Sequence, residues 1–147
     1  HEWGSEQETV DDTGHWGHGV IDNLLTAGHK PIGVQFHGKP QDPRYKNVRA
    51  EMWFRMADWI KRGGSLPKIP EMVEELTAPT YTFSNGKLML EEKDQIKARI
   101  GRSPDLGDAL CLTFFLTDQP AATADQLLNR QMSRIARQQE ETYKPFA

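Results

Sequence analysis

The sequence predicts an α/β domain, and two observations carry that prediction. The first is a strand, a helix and a second strand within about 30 residues, which form a βαβ unit and imply a parallel pair of strands. The second is the alternation of further helices with a hairpin through most of the remaining chain. With 147 residues, one cysteine and a formal net charge of −3, the chain fits one domain with no internal disulfide and no global basic signature for nucleic acid.

The βαβ unit lies near the start of the chain. Its first strand is expected over residues 8–11, its helix over 20–27 and its second, buried strand over 31–36. Gly28 suits the left-handed conformation that often follows a helix. A second residue pattern predicts the longest helix, over residues 45–62, because apolar residues recur there at three- and four-residue intervals and indicate one buried face.

The middle of the chain carries shorter elements. A helix over residues 69–76 presents Glu71, Glu74 and Glu75, which the pattern favours as a solvated acidic face. A hairpin over 80–90 is predicted by the Asn-Gly turn at Asn85 and Gly86, and a helix over 92–100 follows. Residues 104–117 form another predicted helix, in which Cys111 is expected to be a core residue.

We place a boundary near residue 120. Residues 1–120 form the predicted domain, and residues 121–147 a C-terminal helical tail. The tail is rich in Gln and Arg and has a single apolar stripe within residues 123–142. This pattern indicates a surface helix or one that docks on a partner.

Two carboxylates mark the start of the helix over 104–117. Ser103 is a natural N-cap and Pro104 a natural first helical residue, so Asp105 and Asp108 fall one turn apart on one face. The helix dipole explains Asp105. Asp108 precedes an apolar run, and a carboxylate there needs a metal or a hydrogen-bonding partner.

A second acidic pair, Asp11 and Asp12, lies where the first strand meets a Gly-rich turn. Magnesium prefers oxygen ligands and usually takes one or two carboxylates from a protein. The two acidic spots together therefore predict one metal site.

Two other interpretations of this segment are weaker. The triplet Asp12-Thr13-Gly14 matches that of aspartic proteases, but those enzymes place two such aspartates together in all-β domains, and helices dominate here. His15 and His18 have the spacing of half a zinc site, yet the other histidines are scattered and do not complete it. We therefore expect loop histidines without partners.

Two groups of basic residues offer positive charge to a polyanion. The first group lies at the start of the long helix, where a role as ordinary solvent-exposed charge accounts for these residues equally well. The second precedes the aspartate helix and would place cations beside a metal-bound phosphate. The candidates for DNA contact are Lys46 and Arg49 in the first group, and Lys93, Lys97, Arg99 and Arg102 in the second.

Six segments follow one another in an order that is typical of a known family. They are DDTGHWG (11–17), PIGVQF (31–36), YKNVRAEMW (45–53), LTAPTY (76–81), KDQIK (93–97) and GRSPDLGDAL (101–110). Together they resemble the nuclease domain of tailed-phage terminase large subunits over residues 10–115. The third and sixth segments are fairly specific in combination.

The resemblance implies an RNase H-like fold, a mixed central sheet flanked by helices, with a two-metal Mg²⁺ or Mn²⁺ site that cuts concatemeric double-stranded DNA. It implies that Asp11 is the second catalytic carboxylate of the family, with Asp12 as the alternative. Asp108 matches the third, and Asp105 is an auxiliary ligand. No residue before Asp11 matches the first-strand aspartate, so the piece is expected to lack the first strands of the fold.

The resemblance also implies partners: double-stranded DNA and, in the parent protein, the ATPase domain, the portal and the small terminase subunit. No apolar run reaches the ~20 residues of a membrane span, and the expected location is the host cell cytoplasm. Two alternatives stay open. One is a non-catalytic remnant that binds DNA or the motor; the other is a different RNase H-like nuclease, such as a junction resolvase or transposase, which should lack the YKNVRAEMW helix.

Overall fold

The computed structural model describes residues 7–116, so the tail over 121–147 and its predicted helix lie outside the described residues. Within them, five α-helices alternate with four short strands. The α/β class is confirmed. The described strands form two small sheets, a parallel pair and an antiparallel pair. No helix in this part of the chain is long and apolar enough to cross a bilayer.

The βαβ unit is present as predicted. Strand β1 (Thr9–Asp11) pairs in parallel with β2 (Ile32–Val34), and α1 (His18–Thr26) connects them after a short 3-10 turn. Gly28 has a φ of +86°, which confirms the left-handed residue expected after the helix.

Helix α1 begins very close to the end of β1. A Cβ atom at Gly17, the residue before α1, would overlap the backbone carbonyl oxygen of Asp11. Only glycine allows this approach. The strand end that carries Asp11 is therefore held directly against the start of the helix.

Helix α2 (Val48–Lys61) is shorter at its start than predicted. The helix begins after Asn47, whose side-chain oxygen accepts a hydrogen bond from the backbone N–H of Ala50 at 2.9 Å. This cap, and not the apolar periodicity, determines the first residue. The core of the described structure surrounds one face of α2 and includes Val34, Phe36, Tyr45, Met52, Trp53, Met56, Leu90 and Cys111.

The predicted hairpin is confirmed as β3 (Tyr81–Ser84) and β4 (Lys87–Leu90). Its two turn residues, Asn85 and Gly86, have φ values of 51° and 74°, as a two-residue type I′ turn requires.

Three further helices complete the described fold: α3 (Pro70–Thr77), α4 (Lys93–Ile100) and α5 (Asp105–Leu112). Helix α5 packs against both α2 and α3. The sequence interpretation of its start is wrong, because Pro104 and not Ser103 occupies the N-cap position and no side chain of the N-cap residue caps the helix.

Glu75 of α3 supplies that missing cap. Its Oε2 accepts a hydrogen bond from the backbone N–H of Gly107 at 2.9 Å, inside the first turn of α5. Glu75 is buried, while Glu71 and Glu74 are exposed. The predicted solvated face is thus wrong at Glu75, because an unpaired helix N–H recruits a carboxylate from the neighbouring helix.

Candidate metal centre

Asp11 lies at the end of β1, on the wall of a cleft of about 220 Å³. Its carboxylate accepts a hydrogen bond from the backbone N–H of Thr13 at 2.9 Å, which orients the side chain. Other residues around the cleft are His37, Arg49, Lys93 and Asp94. The cleft thus combines carboxylates with cationic side chains.

Asp108 lies below this region, in the first turn of α5, and is only 6% exposed. Its Oδ2 is 2.6 Å from Nζ of Lys93. This is an ion contact without hydrogen-bond geometry, and neither carboxylate oxygen has a hydrogen-bond partner among the described residues. A buried carboxylate is costly unless a cation and hydrogen bonds compensate its charge. Among residues 7–116, the ion pair of Asp108 is with the ammonium group of Lys93.

Lys93 links the two carboxylates, which are far apart in sequence. It is the first residue of α4, lies on the cleft wall with Asp11, and pairs with Asp108. A hydrogen bond also joins β1 to α5: the Thr9 hydroxyl donates to the carbonyl oxygen of Leu112 at 3.3 Å. Helix α5 therefore packs against β1, with its last residue at the first residue of the strand.

Arg49 also faces the cleft, although it is buried. Its Nη1 donates a hydrogen bond to the carbonyl oxygen of Glu91 at 2.7 Å, and its Nε and Nη2 have no hydrogen-bond partner among the described residues. Burial raises the pKa of the Cys111 thiol, and the negative charge of Asp108 raises this pKa further, while Arg49 acts in the opposite direction. Cys111 is fully buried, as predicted.

Asp12 points away from this cleft. Asp12 follows the last residue of β1 and begins the 3-10 turn, and its carboxylate contacts the amide of Gln35 at 3.1 Å and Nδ1 of His18 at 2.8 Å. His15 lies 3.7 Å from the same carboxylate. The expectation that these loop histidines have no partner is therefore wrong, because the tight 3-10 turn folds both rings back onto Asp12.

The remaining acidic candidate, Asp105, is exposed at the first residue of α5. The structure thus places Asp11 and Asp108 around Lys93. Asp12 lies on the other side of the strand and Asp105 at the surface.

Most of the basic candidates are paired within the chain. Arg99 binds both oxygens of Glu91, at 2.7 and 2.6 Å, and Arg102 pairs with Glu74 at 2.6 Å and with Glu75 at 3.3 Å. The Arg99 hydrogen bonds, with those of Thr80, lower the pKa of Glu91 to about 2. These arginines hold α3, α4 and the hairpin together.

Lys46 and Lys97 differ from the arginines. Both are exposed, and neither forms an ion pair with another residue in the range 7–116. Their charges are therefore available to solvent in this part of the chain.

Sequence reasoning missed two features of the centre. It placed Arg49 on a surface patch, although the helix periodicity from Val48 to Met52 puts this residue beside buried positions. It treated Lys93 as one of a cluster of phosphate contacts. The available signal was its position at a helix N-terminus, where a cation is unfavourable without an anion beside it.

Known solved structures share this fold. The nuclease domain of the large terminase subunit gp2 of bacterial virus Sf6 matches with a TM-score of 0.60 and 23% identity, over 80% of this chain and 68% of that one. Point variants of the same domain also match: a calcium-containing structure has a TM-score of 0.60 and 22% identity, over 79% and 67% of the two chains. A manganese-containing structure has a TM-score of 0.57 and 21% identity, over 79% and 68%.

No protein-family model matches the sequence, and no curated protein matches it. The structural likeness covers four fifths of the chain at low identity. The chain therefore has the RNase H-like fold of a phage terminase nuclease domain.

Proposed function

We propose that the chain is the endonuclease part of a phage DNA-packaging terminase, which cuts concatemeric double-stranded DNA with bound Mg²⁺ or Mn²⁺. The observation that carries the proposal is Asp108, a buried carboxylate with no hydrogen-bond partner among the described residues and one ammonium as its counter-ion. A carboxylate is the kind of oxygen ligand that Mg²⁺ prefers in proteins. The fold likeness to a terminase nuclease domain supports the same conclusion.

In this proposal Asp11 and Asp108 hold the metal, with Asp105 as an auxiliary ligand. A divalent metal held there would supply Lewis-acid chemistry, which lowers the pKa of a bound water molecule and offsets negative charge on the leaving oxygen. Lys93 compensates the charge of Asp108 before the metal binds. Arg49 lies on the cleft wall with Nε and Nη2 buried and without a hydrogen-bond partner among the described residues, and its positive charge would favour a phosphate group in the cleft.

DNA outside the cleft would lie against Lys46 and Lys97, whose charges are not used by other described residues. We retain the ATPase domain, the portal and the small terminase subunit as the partners of the parent protein, and the host cytoplasm as its location. These parts of the proposal derive from the terminase resemblance.

The test is the nicking of supercoiled plasmid in Mn²⁺ by the unmodified chain, Asp11→Asn, Asp108→Asn and the control Asp58→Asn. Asp58 is an exposed residue of α2, outside the proposed centre. We expect nicking by the unmodified chain and the control, and a loss of at least about 100-fold in the other two, because a metal ligand is removed. Equal nicking by all four proteins would exclude these carboxylates from catalysis.

A second candidate function is DNA binding without cleavage. The observation that favours it is the ion pair at 2.6 Å, since Lys93 already neutralises Asp108. Duplex binding by all four proteins, with no nicking by any of them in Mn²⁺ or Mg²⁺, would support this alternative over the endonuclease.

A further inference from the structure

A second set of metal-ligating atoms lies on the other side of β1. It comprises Asp12, His15 and His18, each of which offers one donor atom, and all three atoms lie within 4.8 Å of one another. Nδ1 of His18 is 2.8 Å from Oδ1 of Asp12, and Nδ1 of His15 is 3.7 Å from Oδ2. The two rings meet edge to face, with centroids 4.8 Å apart.

These distances match a small coordination sphere. Zinc binds imidazole nitrogen and carboxylate oxygen at about 2.0–2.2 Å, so two ligands of a tetrahedral ion lie about 3.3 Å apart. The observed separations of 2.8 and 3.7 Å fall on either side of that value. The donor atoms of His15 and His18 lie within 4.8 Å of each other, and both side chains are exposed, so ring rotation would bring the three donors to one ion.

The surroundings hold the donors in place. Asp12 is only 7% exposed, and the amide of Gln35 donates hydrogen bonds to its carboxylate and its backbone carbonyl. Outer hydrogen bonds of this kind orient metal-binding carboxylates. His15 has a φ of +66°, a conformation that non-glycine residues adopt rarely and that is concentrated at functional sites. This backbone conformation turns its ring toward Asp12.

We propose that Asp12, His15 and His18 form a zinc site with three protein ligands and a fourth position open to solvent. Two imidazoles and one carboxylate suit Zn²⁺ and related borderline transition metals, whereas all-oxygen ligands suit Mg²⁺. The site is therefore chemically different from the proposed Asp11 and Asp108 centre. It does not depend on the endonuclease proposal.

Bound zinc would fasten the 3-10 turn and the start of α1 to the end of β1. Asp11 is the adjacent residue, and its carboxylate is oriented by the backbone of Thr13 in the same turn. The consequence is a metal that stabilises the loop which positions Asp11, without entering the cleft.

The test is titration of the full chain with Zn²⁺, followed by calorimetry, and with Co²⁺, followed by its visible absorption. The variants are His15→Ala, His18→Ala and the matched control His29→Ala. His29 also contacts a carboxylate, Glu8, at 2.7 Å, but this pair is not part of the three-ligand cluster. Both rings contact the buried carboxylate of Asp12, so the metal-free melting temperature of each variant is measured first, and zinc affinities are compared among the folded proteins.

We expect one Zn²⁺ per chain, Co²⁺ absorption typical of four ligands, and at least tenfold weaker binding in His15→Ala and His18→Ala but not in His29→Ala. At a hundredfold excess over Kd, Zn²⁺ should raise the melting temperature of the unmodified chain by about 5–10 °C. Zinc affinity that is equal in all four proteins, or that disappears in Asp108→Asn and not in His18→Ala, would overturn the proposal.

Discussion

Asp108 and Lys93 form a pair in which one partner is buried and the other is partly exposed. The side chain of Asp108 is 8% exposed and that of Lys93 is 39% exposed. The ammonium of Lys93 keeps contact with water. The buried carboxylate of Asp108 depends on this ammonium to compensate its negative charge. Removing the cation should therefore affect Asp108 more than removing the carboxylate affects Lys93.

Lys93→Met tests this relation, because methionine retains the apolar stem and removes the charge. In the absence of metal we expect the free energy of unfolding to fall by about 1–3 kcal/mol, since an uncompensated carboxylate stays buried. Mn²⁺ should bind about tenfold more tightly, because the ion no longer competes with the ammonium. Urea unfolding and calorimetry measure the two effects.

The control for this variant is Lys97→Met, one turn further along α4 and exposed. This variant should change neither the free energy of unfolding nor the Mn²⁺ affinity by more than the error of the measurement. An unchanged Mn²⁺ affinity in Lys93→Met would show that Lys93 and the metal do not share Asp108.

At the scale of elements, buried and half-buried carboxylates join α3, α4, α5 and the hairpin. Glu75 of α3 caps α5 and pairs with Arg102. Glu91, just after β4, binds Arg99 of α4. These contacts position the two helices, α4 and α5, that carry Lys93 and Asp108.

Glu75→Ala should lower the free energy of unfolding by about 2 kcal/mol. The variant leaves the backbone N–H of Gly107 unpaired in a buried position and removes a partner of Arg102. The matched control, Glu71→Ala, removes an exposed carboxylate from the same helix and should cost less than about 0.5 kcal/mol. Urea unfolding of both variants measures the difference, and equal effects would contradict the capping role.

Glu91 predicts a specific dependence of stability on pH. Hydrogen bonds from Arg99 and Thr80 lower the pKa of Glu91 from 4.5 to about 2. The folded state therefore gains stability from the ionised group above about pH 4.5, and it loses this gain progressively as the pH falls toward 2. The contribution is about 1 kcal/mol, because the pair lies near the surface.

Thermal unfolding of the unmodified chain and Glu91→Gln between about pH 3 and pH 7 measures this contribution. The stability difference between the two proteins should be constant from pH 5 upward and should shrink below pH 4. A difference that does not vary with pH would mean that the carboxylate charge is not the source of the stabilisation.

At the scale of the whole molecule, the charge that remains free for DNA is smaller than the count of basic residues suggests. The chain has 18 Lys and Arg and a net charge of −3. Arg44, Arg55, Arg99 and Arg102 all form ion pairs with carboxylates of the same chain. Within residues 7–116 these four arginines are therefore already neutralised, and the proposed DNA contacts there would depend on exposed lysines such as Lys46 and Lys97.

Lys46→Ala and Lys97→Ala should each weaken duplex binding and reduce the slope of log K against log salt by about 0.9, as expected for one phosphate contact. The control Arg44→Ala lies two residues from Lys46, but Arg44 is already neutralised by Asp42 at 2.6 Å. It should leave the slope unchanged. Fluorescence anisotropy with a duplex of about 20 base pairs, between about 50 and 200 mM salt, measures the slope for each of the three variants. Equal slopes in all of them would contradict the proposed phosphate contacts of Lys46 and Lys97.

Local sequence patterns determined the helices and strands of the described structure. The βαβ unit, the Asn-Gly hairpin and the buried face of α2 follow from residue periodicity and turn residues, which act over a few positions. The start of α2 was predicted too early because Asn47 caps the helix, and the start of α5 was misread because its cap comes from Glu75 in another helix. A cap from a distant residue leaves no local pattern in the sequence.

The sequence also marked Asp11 and Asp108 as candidate ligands, since carboxylates beside a Gly-rich turn and an apolar run require a partner. Tertiary structure alone decided how these groups combine. It paired Lys93, from the cleft that Asp11 also lines, with Asp108, buried Arg49, and brought Asp12 together with His15 and His18. The reason is physical: strand alternation assigns a side to each residue, but only the packing of α1, α4 and α5 determines which charges meet there.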